Sequence, residues 1–509
     1  MIKNIQRSLV DILGESYISA VCRARALLSG KNYDELMAIA NEKVDFYPAD
    51  FAARQEELMD LVGQQVIPAF ETAENGAPIA SYGAAQHNDM APLGGQGAFR
   101  LGESGKLYFT GKSEHYQIPL GHQFPGYALI EKAKALGILN ATHNNTRGFI
   151  TRTAERRLVA CANNLDPADP KLDEIIGKKE PGVISGVINL ETGSLACEAA
   201  LKMMLSRFYG LDNNPVKYEG KIPVFLIMAD NAGGITGNYH GTTIFAQTLR
   251  GMWPKFYAAA QEHELYKVVS VPINDAEGFR KIMEQYNTGD YKTAGFCHEI
   301  ILMNYGGIRL QESYLHEAYR LCREYDTPVL CDEIQSCAWY DGCFLFKKYG
   351  LTPDFVSVGK GFPGGEYPAS KVITTAEYGN LNQFGALVTN GQEELASLAY
   401  LITMTFALAN REKIAEIGDY FEARLNELCA KYPEKLTQIE GAGLLAALHC
   451  KDIDSAKAFM NALHDACIDA SAQIYKQNCL PAVLFKPSLI SDTDALDFIA
   501  NAIDGILAK

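Results

Sequence analysis

The chain has 509 residues, 48% of them hydrophobic and 21% charged, with a formal net charge of −15 and a pI near 5.2. This is an ordinary globular composition with ample core, and the length favours two or three compact units. The acidic balance argues against a nucleic-acid partner, whose phosphates call for a basic face, and no apolar stretch is as long as a bilayer span.

In chain order, apolar residues at helical spacing through Leu9, Ile12, Leu13, Tyr17 and Ile18 open a region, 1 to about 95, that reads as mostly helical. The glycine- and alanine-rich passage from Asn75 to Gly97 reads as a connector. From about 160, β-rich runs alternate with helical ones. Strands are expected at Val183 to Ile188, Val224 to Met228, Val268 to Ile273, Glu299 to Met303, Val329 to Cys331 and Phe355 to Val358. Helices are expected at Ala196 to Phe208 and Ala246 to Ala260. Such alternation predicts βαβ units and a mostly parallel sheet flanked by helices. From about 400 the pattern turns helical, then ends in a smaller α+β region around Leu444 to Leu448 and Ala482 to Phe485. The twelve cysteines include no CxxC pair, so no metal site is expected, and they read as reduced thiols. Met1 to Arg7 lacks the apolar core of a secretory signal, so the expected location is cytoplasmic.

Two apolar runs carry the chemistry. Pro328-Val329-Leu330-Cys331 ends in Asp332, and Phe355-Val356-Ser357-Val358-Gly359 ends in Lys360 followed by glycines, 28 positions later. In a parallel α/β sheet both side chains emerge at the carboxyl ends of strands, where ligands bind. A lysine and an acid at that edge suit pyridoxal phosphate, which needs a lysine for its Schiff base and a carboxylate to keep its pyridine nitrogen protonated. Gly193 and Ser194 stand between a strand and a helix, where backbone N–H groups and a hydroxyl can hold a phosphate. Each position has a plainer reading: a helix N-cap for Asp332, a surface lysine for Lys360, a capped turn for Ser194.

Five ordered motifs carry a family resemblance: Gly121-His122-Gln123-Phe124-Pro125, Thr192-Gly193-Ser194-Leu195-Ala196-Cys197-Glu198-Ala199-Ala200, Tyr239-His240-Gly241, and the Asp332 and Lys360 segments. From about 97 to 509 the chain resembles the class III (ω-) aminotransferases, fold-type I pyridoxal phosphate-dependent enzymes. The resemblance implies a large domain with a mostly parallel seven-stranded sheet flanked by helices, and a smaller α+β domain. It divides the chain into a helical N-terminal extension (1–95), the first part of the small domain (96–160), the large cofactor-binding domain (161–400) and the rest of the small domain (401–509).

The resemblance also implies roles. Lys360 forms the internal aldimine and then moves the proton, with transfer passing through a pyridoxamine intermediate. Asp332 pairs with the pyridine nitrogen, and Gln335 bonds the phenolic oxygen. Tyr239 lies on the ring, with ordinary aromatic packing as its plainer reading. Gly193 and Ser194 hold the phosphate, while His240 and Glu299 complete the cofactor contacts. Thr389 reaches the neighbouring subunit's cofactor, which makes the active unit a homodimer.

Departures from the pattern bear on substrate. Many members carry Glu-Pro-x-x-Gly-Glu-Gly-Gly; here Glu299 is kept and Asn304 replaces the second glutamate. Leu484 stands where many members have an arginine for a substrate carboxylate, with Lys486 nearby as a candidate replacement. Trp339 follows Gln335 as either a pocket wall or core. The reading is a pyridoxal phosphate-dependent aminotransferase acting between an amine or amino acid and an oxo acid. A racemase, epimerase or aminomutase on the same cofactor is the alternative.

Overall fold

The computed structural model describes residues 2–509 apart from 75, 81–86, 144, 212–215, 231–236, 238, 240–242, 383, 384 and 477. Its centre is a seven-stranded sheet of β1 (Gly186–Leu190), β2 (Ile222–Met228), β3 (Lys267–Val271), β4 (Tyr291–His298), β5 (Val329–Asp332), β6 (Phe355–Val358) and β7 (Ser370–Thr374). The strands lie in the order β1-β7-β6-β5-β4-β2-β3. All neighbours are parallel except β7, which runs antiparallel to both β6 and β1. This is the expected mostly parallel sheet.

Strand β4 lies eight residues earlier than the run Glu299 to Met303, which had been expected to form it. That run instead holds the two-residue strand Ile301–Leu302, paired with Ile308–Arg309, and Gly306 and Gly307 reverse the chain at φ 64° and 67°. The true strand was hidden by polar residues that find internal partners. The Thr293 hydroxyl donates to Asn287 Oδ1 (2.8 Å), and Gly295 leaves room for Met204. Strand β7 was also unexpected, because it buries Lys371, whose ammonium bonds Asn189 Oδ1. The expected helix from Ala246 to Ala260 is two elements, Gln247–Gly251 and Pro254–Glu262. Pro254 forces Trp253 out of the helical region, to φ −126° and ψ 89°.

Among the described residues the extension holds α-helices at Leu9–Leu13, Glu15–Ser29, Tyr33–Asn41 and Ala49–Met59, and a short 3-10 turn at Asn88–Met90. Ser8 and Asp11 form a capping box that opens the first of these. Phe46 and Tyr47 pack against Phe124 and Phe406, which ties this region to the rest of the chain. Pro92–Gln96, expected within the connector, is a strand paired with Phe99–Gly102. A side chain at Gly95 would meet His122 at 2.5 Å, so the glycine permits that approach. Toward the C-terminus a four-stranded antiparallel sheet contains Leu436–Ala442, Leu445–Cys450, Ser471–Gln473 and Ala482–Phe485. No helix of the described residues is long and apolar enough to cross a membrane.

At the amino edge of β5 and β6, Asp354 is fully buried. It accepts from Val329 N–H (2.8 Å), Gly182 N–H (3.1 Å) and Arg323 Nη1 (2.7 and 2.8 Å). Removing its charge leaves Arg323 without its partner. Asp354→Asn is expected to lower the unfolding free energy by about 3 kcal/mol in urea titration. An unchanged midpoint would contradict this account of the strand edge.

Candidate active site

Strand β5 ends at Asp332, which lies opposite Ser357 in the parallel register with β6. Three residues beyond Ser357, the chain reaches Lys360 at φ +39°, an uncommon conformation for a residue with a side chain. Both residues line a cavity of about 410 Å³, together with Thr192, Gly193, Ser194, Glu299 and Gln335. That volume is within the range of small-molecule sites.

Asp332 is held firmly: its Oδ1 accepts from the Ser357 hydroxyl and from Ile334 N–H (3.0 Å), and the Cys197 thiol donates to Oδ2 (3.7 Å). Gln335 Nε2 donates to Glu299 Oε2 (2.8 Å), and both residues are buried. Burial pulls the Lys360 amine below its ordinary range, while Glu299 and Asp332 pull it back up. Gly193 opens the helix Gly193–Leu205, whose N-cap Thr192 accepts from Leu195 N–H. A Cβ on Gly193 would lie 2.6 Å from Ile334, so only a glycine fits without movement.

The expected residues do not all converge. Tyr239 is buried with its ring centroid 3.6 Å from that of Tyr305, and it is not among the cavity-lining residues. Thr389 is exposed on a turn and also lies outside the lining. His240 falls outside the described residues. Lys486 is fully buried and bonds the Gln335 carbonyl, so it stands behind the cavity wall rather than in it. Trp339 is packed against Lys486, its ring centroid 3.5 Å from the ammonium.

Asn304, noted in the sequence as a departure from the family pattern, also lines the cavity, whereas His115, Gln117, Glu191, Thr243 and Ser370 were not singled out by any motif. Thr243 follows the Tyr239-His240-Gly241 motif closely enough to have been found. His115 was not legible, because it depends on a backbone feature. Ser113, Glu114, His115 and Tyr116 all take positive φ (46°, 50°, 54° and 72°), one left-handed turn of residues with side chains. Such a conformation costs roughly 1–2 kcal/mol per residue.

A family model of class III aminotransferases matches residues 96–507. The chain belongs to that family. It is therefore a pyridoxal phosphate-dependent aminotransferase. It is 26% identical over 393 residues to the succinylornithine transaminase/acetylornithine aminotransferase of Pseudomonas aeruginosa, covering 75% of this chain and 89% of that protein. It is 25% identical over 436 residues to the putrescine aminotransferase of Pectobacterium atrosepticum, covering 82% and 81%. Among solved structures it resembles the Toxoplasma gondii ornithine aminotransferase crystallised with oxidised glutathione, which is described as having partial occupancy of PLP. That likeness has a TM-score of 0.63 at 21% identity, over 84% of this chain and 93% of the other, and it establishes the fold-type I architecture.

The aminotransferase's cavity fits the cofactor on its own terms. Thr243 Oγ1 and Ser370 Oγ are buried, line the cavity, and have no hydrogen-bond partner among the described residues. Buried hydroxyls normally find partners, and a phosphate supplies acceptors for both. The tight glycine at the helix N-terminus and the lysine–acid pair complete a donor set suited to a phosphorylated pyridine. Gly193→Ala is expected to weaken pyridoxal phosphate binding about tenfold, some 1.4 kcal/mol, in a fluorescence titration. Adding Ile334→Ala should restore much of that affinity; equal binding by parent and Gly193→Ala would contradict the cradle.

Proposed function

We propose that this aminotransferase takes its amino group from a donor with a terminal amine, passes it to an oxo acid, and uses Lys360 and Asp332 as its central pair. The observation that carries the reading is that these two side chains leave adjacent parallel strands and enter one cavity. When bound, pyridoxal phosphate supplies the aldehyde that accepts the amino group and the ring that stores the electron pair released from a substrate C–H bond.

The protein's own residues then divide the work. Asp332, fixed by Ser357 and Ile334, keeps a proton on the ring nitrogen. Lys360 would hold the cofactor covalently through Nζ, and its amine, once free, would be placed to accept and return a proton. Gln335 spends one amide hydrogen on Glu299 and keeps the other for the phenolic oxygen. Gly193 and Ser194 hold the phosphate, with Thr243 and Ser370 as further donors. The family motif assigns Tyr239 to the face of the ring and His240 to the cofactor contacts, although Tyr239 lies outside the cavity lining, against Tyr305. Thr389, exposed on its turn, serves the cofactor of a second subunit, which makes the active unit a homodimer. The chain divides at about 95, 160 and 400 into extension, first part of the small domain, large domain and remainder of the small domain, and it acts in the cytoplasm.

Charge in the cavity supports the donor class. Glu191, Glu299 and Asp332 line it, and Lys360 is its one lysine or arginine among the described residues. Leu484 stands where an arginine would receive a carboxylate. A cationic amine is favoured there over a second acidic group. The relatives named above are themselves named for ornithine derivatives and putrescine. Racemase or aminomutase chemistry would use the same pair, and no contact in the site favours it over amino transfer.

In single-turnover assays, putrescine or ornithine is expected to convert the bound cofactor to its amino form at least tenfold faster than glutamate. Equal rates, or a preference for glutamate, would overturn the donor assignment. Borohydride reduction followed by peptide mass spectrometry should find the cofactor on Lys360, and Lys360→Ala should lose the label. Label on another lysine of the parent would remove Lys360 from its role.

A further inference from the structure

Once the cofactor is accounted for, the cavity keeps a few polar side chains for the substrate: His115, Gln117, Glu191, Asn304 and Tyr367. The oxo acid brings a carboxylate. Leu484 offers it no charge, and Lys486 is behind the wall, bonded to the Gln335 carbonyl. Glu191 repels it, and the Tyr367 hydroxyl is engaged by Lys134. His115, Gln117 and Asn304 remain.

Of these, His115 has the most telling surroundings. Its ring leans on that of Tyr116, with centroids 4.9 Å apart, and it is exposed and lines the cavity. No hydrogen bond or ion pair joins its imidazole to another of the described residues. Burial is the first influence that lowers its proton affinity, followed by Lys112, Lys360 and Lys486. The ring is therefore a neutral imidazole at pH 7, with one N–H to donate. Lys112 is the lasting charge among those lysines. Burial lowers it only to about 8, whereas Lys486 is pushed much further down and Lys360 is committed to the cofactor. Lys112 Nζ lies 5.0 Å from the centroid of the same Tyr116 ring. A positive charge that disfavours a proton on His115 favours a carboxylate beside it.

The acids of this region are engaged elsewhere. Glu114 holds Arg100 (2.5 Å) and His122 (2.9 Å), Asp469 holds Arg100 (3.0 Å), and Glu299 holds Gln335 (2.8 Å). The turn that carries His115 is pinned as well. The Ser113 hydroxyl donates to the Lys486 carbonyl (2.7 Å), and the Gln117 N–H donates to the Ser113 carbonyl (3.0 Å). Four successive residues at positive φ persist only where such a network over-determines them, and backbone of this kind clusters at ligand sites. We propose that the His115 imidazole, with the Gln117 amide two residues on, receives the carboxylate of the oxo acid in place of the arginine that Leu484 replaces. This rests on the cavity being the site of amino transfer.

The test uses full-length protein loaded with pyridoxamine phosphate, so that it does not depend on the donor. In single turnover with pyruvate, His115→Ala is expected to raise the half-saturating concentration about tenfold, the worth of one hydrogen bond to a charged group. The limiting rate should change less than about threefold, because the contact is made before and during the reaction alike. His115→Gln keeps an N–H donor and should recover most of the loss. The second readout needs no turnover. Propionate has the carboxylate but no oxo group, and adding it to pyridoxal phosphate-loaded protein labelled with ¹⁵N-histidine should shift the ring resonance that His115→Gln removes. A His115 resonance that propionate leaves unmoved overturns the proposal, as does an unchanged pyruvate half-saturation in folded His115→Ala. A tenfold loss in Asn304→Ala with none in His115→Ala overturns it too and moves the carboxylate to Asn304. If pyruvate does not react at all, transfer to an oxo acid is what has failed, and the propionate shift alone decides the role of His115.

Discussion

The parallel register of β5 and β6 is the constraint from which the site follows. Asp332 lies opposite Ser357, whose hydroxyl donates to it, and Lys360 is three residues farther along the same edge. A register slip would move one member of the pair away from the other and turn alternate side chains to the opposite face. Asp354 secures the amino ends of the same strands by receiving Val329 N–H and the Arg323 guanidinium. The buried apolar length of each strand fixes where it lies, so the reactive ends are set by packing that takes no part in the chemistry.

Around that edge the backbone is strained in two places. Lys360 has φ +39°, and residues 113–116 form one left-handed turn. Such conformations persist only where their surroundings over-determine them. Glu114 is tied to Arg100 Nη1 (2.5 Å) and His122 Nε2 (2.9 Å), Ser113 donates to the Lys486 carbonyl (2.7 Å), and Tyr116 is enclosed. The turn thereby sets His115 and Gln117 in the cavity wall and Tyr116 behind Lys360. Free energy gained in that network holds a shape that the site uses.

Much of this was legible in the chain, and the rest was hidden for physical reasons. Phe355 to Val358 reads correctly because a run with three apolar residues of four ends abruptly at a glycine and a lysine. The Asp332 segment reads correctly for the same reason. Strand β4 was misplaced because burial there tolerates Thr293 and Gly295, which bond or pack internally, whereas the more apolar Ile301–Leu302 belongs to a short hairpin. Strand β7 was missed because a buried lysine breaks the apolar pattern. The site residues found in sequence were those carried by contiguous motifs, namely Gly193, Ser194, Glu299, Asp332, Gln335 and Lys360. Those missed, His115 and Gln117 above all, come from a segment distant in sequence whose direction is set by a conformation that residue types rarely announce. Lys486 was weighed as a carboxylate ligand, and only three-dimensional placement reveals it behind the wall, between two rings.

The central claim is that Asp332 and Lys360 grip opposite parts of one cofactor from neighbouring strands. The most direct measurement is the ¹⁵N chemical shift of ring-labelled pyridoxal phosphate bound to the parent protein and to Asp332→Ala, each linked to Lys360. The account predicts a protonated ring nitrogen in the parent and an unprotonated one in the variant. A ring nitrogen in the same protonation state in both would mean that Asp332 does not hold the cofactor there, and the strand-edge explanation of the site would fail.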